Sequence, residues 1–148
     1  MKPDGTARRK VTTERILDAV AVSPDGRWLV AGTPGTDSEH PSVVKAFPLN
    51  GGMPIPLCLG FCQLTWDASG KFLFVNVRRL HEGTFPLPVL HDSGLPKLPP
   101  AGIARMEDLA SAKSLTVIPW YVDSALSPSV YAYTRQDTRR NLYRIPLP

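Results

Sequence analysis

The sequence predicts an all-β protein made of repeated four-stranded units. Three observations lead to this class: a turn–strand pattern recurs at an offset of 44 positions (22 to 66), apolar runs are short, and turn residues separate them. Proline supplies 16 of the 148 residues, about twice its usual share of roughly 5%. Because proline disfavours helix interiors and central strands, many short strands are expected.

The repeated stretch is VSPDGRWLV at 22–30, which aligns with WDASGKFLF at 66–74. In both copies an apolar residue enters a four-residue turn that ends in glycine, and a basic residue and an apolar run follow. The predicted structural turn residues are Pro24, Asp25, Gly26, Ser69 and Gly70. We expect positive φ at the two glycines. A third, shortened copy at 125–134, ALSPSVYAYT, lacks the glycine–basic pair.

A second hairpin element follows each turn. It occurs at 43–54, 87–96 and 141–148, and Asn50 and Gly51 supply hairpin chemistry in the first copy, as Asp92, Ser93 and Gly94 do in the second. Each unit therefore contains four strands in about 40–45 residues, which is typical of a β-propeller blade.

The stretch KFLFVNV at 71–77 has apolar residues on both faces of the predicted strand. Such a strand belongs to a sheet that is covered on both sides, as in stacked blades, although a sandwich strand is the alternative. The predicted core comprises Trp28, Leu29, Phe72, Leu73, Phe74, Val75, Tyr131 and Tyr133.

The turns at 23–29 and 67–73 resemble those of TolB-like, WD-repeat-like bacterial β-propellers. The ending NLYRIPLP is similar to the last strand of such propellers, including those attached to bacterial serine/threonine kinases. Trp66 and Asp67 precede the first turn of their unit, so they do not correspond to the dipeptide of the WD repeat. The resemblance covers roughly residues 1–100 and 125–148 and implies an incomplete β-propeller of about three four-stranded blades.

The unit boundaries follow from the repeat. Residues 1–15 would end a preceding blade, 16–57 and 59–101 would form two blades, and 115–148 the final one. Residues 102–114 would be an insertion with a short helix near 103–112, because Ile103, Met106 and Leu109 are spaced by three.

Three units cannot close a ring of four to eight blades. We therefore expect the C-terminal part of a longer protein, or a ring completed by another chain. Strands at 8–12 and 141–145 would be open edges, and the end faces, with Tyr131 and Tyr133, would meet water. Such surfaces favour self-association.

Composition narrows the class of partner. The net charge is +4, from 17 basic and 13 acidic side chains. The basic residues at 8–10, 78–79 and 139–140 are separated by apolar runs, so they are interpreted as solvated turn and edge charges rather than a nucleic-acid or lipid-headgroup patch. No apolar run reaches the roughly 20 residues of a membrane span, and no stretch has signal-peptide character. The chain as written is expected to be soluble, while the compartment is left open, since a parent protein could be periplasmic or membrane-tethered.

Cys58 and Cys62 are compatible with a disulfide or with half of a metal site. The histidines at 40, 81 and 91 show no paired ligand spacing, so two free, partly buried thiols are the favoured interpretation. Asp37, Glu39 and His40 are interpreted as a solvated loop rather than a metal site.

Catalytic motifs are missing from the sequence. The stretch GTPGT at 32–36 lacks the ending of a phosphate loop, no nucleophile elbow occurs, and His91, Asp92 and Ser93 are neighbours in a turn. The sequence therefore predicts a non-catalytic recognition or scaffold module without cofactor or metal. Its partner would be a protein or the missing blades of its own parent chain. The alternative is the sensor or gating propeller of a larger enzyme, a serine/threonine kinase or a prolyl-oligopeptidase-type peptidase.

Overall fold

The computed structural model describes residue 6 and residues 9–77, 83–111, 117–119, 122–124 and 130–133. These residues form a mainly β structure. Sheet 1 is antiparallel and contains β1 (Asp18–Val22), β2 (Trp28–Pro34), β3 (Ser42–Pro48) and β4 (Ile55–Leu59) in chain order. Sheet 2 contains β5 (Cys62–Trp66), β6 (Phe72–Val77) and β7 (Thr84–Pro88), again antiparallel and in order. A ribbon of β8 (Val122–Ser124) and β9 (Tyr131–Tyr133) follows the one described helix, α1 (Met106–Ser111).

The two repeated turns have the same backbone geometry. Gly26 and Gly70 have φ values of 69° and 71°, in the left-handed region where only glycine is unstrained. Each glycine N–H donates to the carbonyl oxygen three residues earlier, Ser23 at 2.9 Å and Asp67 at 3.0 Å. The positive φ expected at both glycines is therefore observed.

The first residue of each turn holds the start of the following strand through its side chain. Ser23 Oγ accepts a hydrogen bond from the N–H of Trp28 at 2.9 Å. Asp67 Oδ1 accepts from the N–H of Phe72 at 2.8 Å, five residues later in the same way. A hydroxyl and a carboxylate thus do the same structural work in the two copies, which explains why the repeat tolerates this difference.

Among the described residues, two isolated bridges continue the pairing beyond β6 and β7. Val89 pairs with Pro96, and Thr84 pairs with Ile118, both antiparallel. Between Pro96 and Ile118 in the sequence, Ile103 instead pairs in parallel with Cys58 on the edge of sheet 1. Prolines at 96, 99 and 100 lack the N–H that a ladder needs, and sheet 2 has three strands among the described residues.

The main core lies between the two sheets. Sheet 1 contributes Val30, Val44, Ala46, Leu57 and Cys58, and sheet 2 contributes Leu64, Trp66, Leu73, Val75, Val77, Phe85 and Leu87. Ile103 and Leu109 close the same cluster.

The second face of sheet 2 is also covered. Phe74 is 1% exposed and packs with Ile118 and Val122, with Phe72 beside them. Leu73 and Val75, on the opposite face of the same strand, are fully buried. Two-sided burial of β6 is therefore confirmed, although Trp28, Leu29 and Phe72 are only half-buried.

The expectation that Tyr131 and Tyr133 belong to the core is wrong. Their exposed fractions are 38% and 53%. Both lie on β9, the outer strand of the ribbon, whereas Val122 of β8 packs against sheet 2. The expected contact of these tyrosines with water agrees with this placement.

The outer face of sheet 1 is covered, contrary to the expectation of an open end face. Phe47 is 2% exposed, and residues 10–14 lie beside it. Lys45 Nζ on the same face donates to Glu14 Oε2 at 2.6 Å. Residues 9–12, expected as a strand, have no regular structure because this segment lies across the sheet face rather than along an edge.

Several sequence predictions lie outside the described residues. These are the turn at 125–129, the strand at 141–148, and the basic pairs at 78–79 and 139–140.

Candidate functional site

Two grooves lie between the described parts of sheets 1 and 2. The first, the corner groove, has a volume of about 710 Å³ and lies where β4 turns into β5. One wall of this groove consists of Leu17, Asp18 and Val20, and the opposite wall consists of residues 60–63. Gly32, Ser42 and Val44 form the floor between them.

A disulfide between Cys58 and Cys62 shapes the second wall. The prediction of free thiols is therefore wrong. The corner between β4 and β5 holds the two Cα atoms 6.4 Å apart, within the range that a disulfide spans. Phe61, inside this short loop, is 62% exposed at the groove.

Two polar groups, Ser42 and Asp18, lie beside apolar side chains in the corner groove. Ser42 is 4% exposed, and its hydroxyl has no hydrogen-bond partner among the described residues. Asp18 pairs with Gly32 in the register of β1 and β2, and its carboxylate lies over this glycine. A buried hydroxyl without a partner is costly, so a ligand that satisfies it would gain affinity.

The second groove, the turn groove, has a volume of about 660 Å³ and lies between the two repeated turns. Of the two basic side chains that line it, Arg27 and Lys71, the first is already hydrogen-bonded. Arg27 Nε donates to Asp25 at 2.5 Å, and its terminal nitrogens donate to the carbonyl oxygens of Asp92 at 2.6 Å and His91 at 3.1 Å. Trp28 Nε1 donates to the Ser93 carbonyl at 2.8 Å. The first repeated turn is thus hydrogen-bonded to the turn after β7, which is a structural role.

The environment of Asp25 stabilises its charge. Partial burial opposes ionisation, but hydrogen bonds from the Ser23 hydroxyl and from the Arg27 backbone and guanidinium outweigh it. The pKa of Asp25 is therefore held below its ordinary value of 3.8.

The structure brings together most of the predicted turn residues. Pro24, Asp25, Ser69 and Gly70 all line the turn groove, and an ideal Cβ at Gly70 would lie 3.7 Å from the Pro24 ring. Asn50 and Gly51 lie apart from them in the turn between β3 and β4, where Gly51 N–H donates to the Pro48 carbonyl at 3.1 Å.

Sequence reasoning missed the corner groove. Asp18, Ser42 and Phe61 belong to no motif, and only the pairing of strands brings them together. The one feature of the sequence that could have indicated this groove is Phe61, an aromatic residue between two cysteines.

The loop at 36–40 forms a local turn. Asp37 Oδ1 accepts from the His40 N–H at 2.7 Å and lies 3.2 Å from His40 Nδ1. The backbone hydrogen bond from His40 is the main reason that the pKa of Asp37 is lowered. Within the described ranges, no three histidine, cysteine or acidic side chains are grouped as metal ligands.

Comparison with known proteins gives no relative: no family model matches the chain, and neither a curated protein nor a solved structure is significantly similar to it. Among the described residues, no helix is both long and apolar enough to cross a lipid bilayer.

Proposed function

We propose that this chain is a recognition module of the β-propeller type and that the corner groove is its binding site. Binding would occur through shape-complementary contact without bond chemistry. The observation that carries the proposal is a groove with a largely apolar lining that also contains the exposed carboxylate of Asp18 and the buried, unpartnered hydroxyl of Ser42. Ligand sites typically have this composition and a volume of roughly 300–1,000 Å³.

The arrangement of the strands supports the propeller assignment. The first strands of successive units lie side by side: β1 contacts β5, and β5 contacts β8. Sheet 1 has four strands in simple sequential order, as a blade does. The isolated bridges of Thr84 with Ile118 and of Val89 with Pro96 lie on the side of β7 where this assignment expects a fourth strand.

Nuclear magnetic resonance can test the binding site. A set of small aromatic and aliphatic fragments is titrated into the ¹⁵N-labelled chain, and amide shift changes are mapped. The expected changes cluster at residues 18–20 and 60–63.

A matched pair of variants controls for non-specific binding. Phe61→Ser should abolish the shifts, whereas Leu90→Ser, at an exposed apolar residue of the turn groove, should leave them unchanged. Shifts that cluster in the turn groove, or that survive Phe61→Ser, would contradict the proposal.

A further inference from the structure

We infer that the corner groove takes a peptide segment in which a basic side chain is next to an apolar one, with the cation bound at Asp18 and Ser42. The inference rests on the proposed function and names the chemistry of the partner.

Charge is the first argument. Asp18 is the only charged side chain among the described residues that line the corner groove. It forms no ion pair with any described residue. Asp18 is exposed at the start of β1, so its carboxylate is open to a cation that approaches from solvent. A lysine or arginine side chain also carries a long apolar stem, which can lie along Val20 and Val44 while its charged end reaches Asp18.

The observed position of the carboxylate requires a residue without a side chain at position 32. An ideal Cβ at position 32 would lie 3.2 Å from Asp18 Cγ and closer still to Oδ1. Glycine therefore leaves the space in which the carboxylate lies over the strand.

The Ser42 hydroxyl supplies a second acceptor. It is buried, lines the same floor and has no partner among the described residues. A hydroxyl oxygen accepts hydrogen bonds from ammonium or guanidinium N–H groups. A cation with several N–H donors has one to offer Ser42 besides those that pair with Asp18.

The apolar side chain of the ligand, next to its cation, would contact the edge of the groove. Leu17 and Phe61 are 48% and 62% exposed and belong to its opposite walls. Covering them would remove apolar surface from water. Gln63, which is exposed on the same wall, offers a side-chain amide to a peptide backbone. Cation, apolar group and backbone together describe a peptide rather than a small organic ion.

Two probes that differ only in charge test the inference. A capped phenylalanine–arginine dipeptide is compared with the phenylalanine–citrulline dipeptide, its neutral isostere, by NMR titration of the full chain. We expect the arginine dipeptide to bind about tenfold more tightly, with shifts at residues 18–20 and 60–63. Added salt should reduce this preference.

Three variants test whether the preference for the arginine dipeptide arises from the Asp18 carboxylate. Asp18→Asn should bring the two dissociation constants within about twofold of each other. Gly32→Ala keeps the charge but displaces it, so it should also weaken the preference. Asp92→Asn removes the same charge from a fully exposed turn outside the corner groove and should change nothing.

The outcomes separate this inference from the proposed function. Equal binding of both dipeptides at the groove, or no binding of either, overturns the cation assignment, whereas the fragment titration alone decides whether the groove is a binding site. If an organic amine without the peptide, such as agmatine, binds as tightly as the dipeptide, the groove is a small-cation site and the peptide assignment is wrong.

Discussion

Truncation of Phe74 tests the packing on the second face of sheet 2. The side chain is 1% exposed and contacts Ile118 and Val122. A buried aromatic side chain removes roughly 150–250 Å² from water, which at about 25 cal/mol per Å² corresponds to about 4–6 kcal/mol as an upper value. Measured losses for such truncations are about 3–5 kcal/mol, and we expect Phe74→Ala to lower the free energy of unfolding by this amount.

Two other phenylalanines serve as references in the same assay. Phe72 lies on the same face of β6 but is only half-buried, so Phe72→Ala should cost roughly half as much. Phe61 is mainly exposed, and Phe61→Ala should change the stability by less than about 0.5 kcal/mol. Urea unfolding followed by circular dichroism gives all three values. A loss below about 1.5 kcal/mol for Phe74→Ala, or an equal loss for Phe72→Ala, would refute the reasoning. If Phe74→Ala does not fold, Phe74→Leu provides the smaller, measurable step.

Three further predictions concern the turns and the corner. Gly26→Val should destabilise the protein by about 1 kcal/mol or more in urea unfolding, because its φ of 69° disfavours a β-branched residue, while Gly26→Asn should cost less. Removal of the disulfide by Cys58→Ala with Cys62→Ala should lower the midpoint of thermal unfolding, since closing so short a loop contributes about 2 kcal/mol; an unchanged midpoint would contradict this. Because the folded pKa of Asp25 is depressed, its stabilising contribution is present above the unfolded pKa of about 3.9 and lost as the pH falls through the lower folded value. Asp25→Asn should therefore unfold with a weaker pH dependence below about pH 4.

The repeated turns could be predicted from the sequence because their chemistry is local. Glycine at the corner and a polar residue before it determine the turn, and the structure has both at Gly26 and Gly70. The burial of Leu73, Phe74 and Val75 also follows from the residue pattern within one strand.

Features that depend on distant contacts could not be predicted in this way. Tyr131 and Tyr133 have the same alternation as a core strand, but β9 has no sheet packed on its side among the described residues. The disulfide depends on how the chain turns between β4 and β5, because this turn brings Cys58 and Cys62 together. The corner groove needs the register of three strands, and residue spacing does not reveal that register.

Methyl–methyl contacts between the two sheets test the central claim most directly, namely that they are successive repeat units packed face to face with the binding groove between them. In a nuclear Overhauser experiment on the methyl-labelled chain, we predict strong contacts between the group formed by Val30, Val44 and Leu57 and the group formed by Leu64, Leu73 and Val75. Contacts confined to each group by itself would contradict the claim, because the groove requires that the two sheets be neighbours.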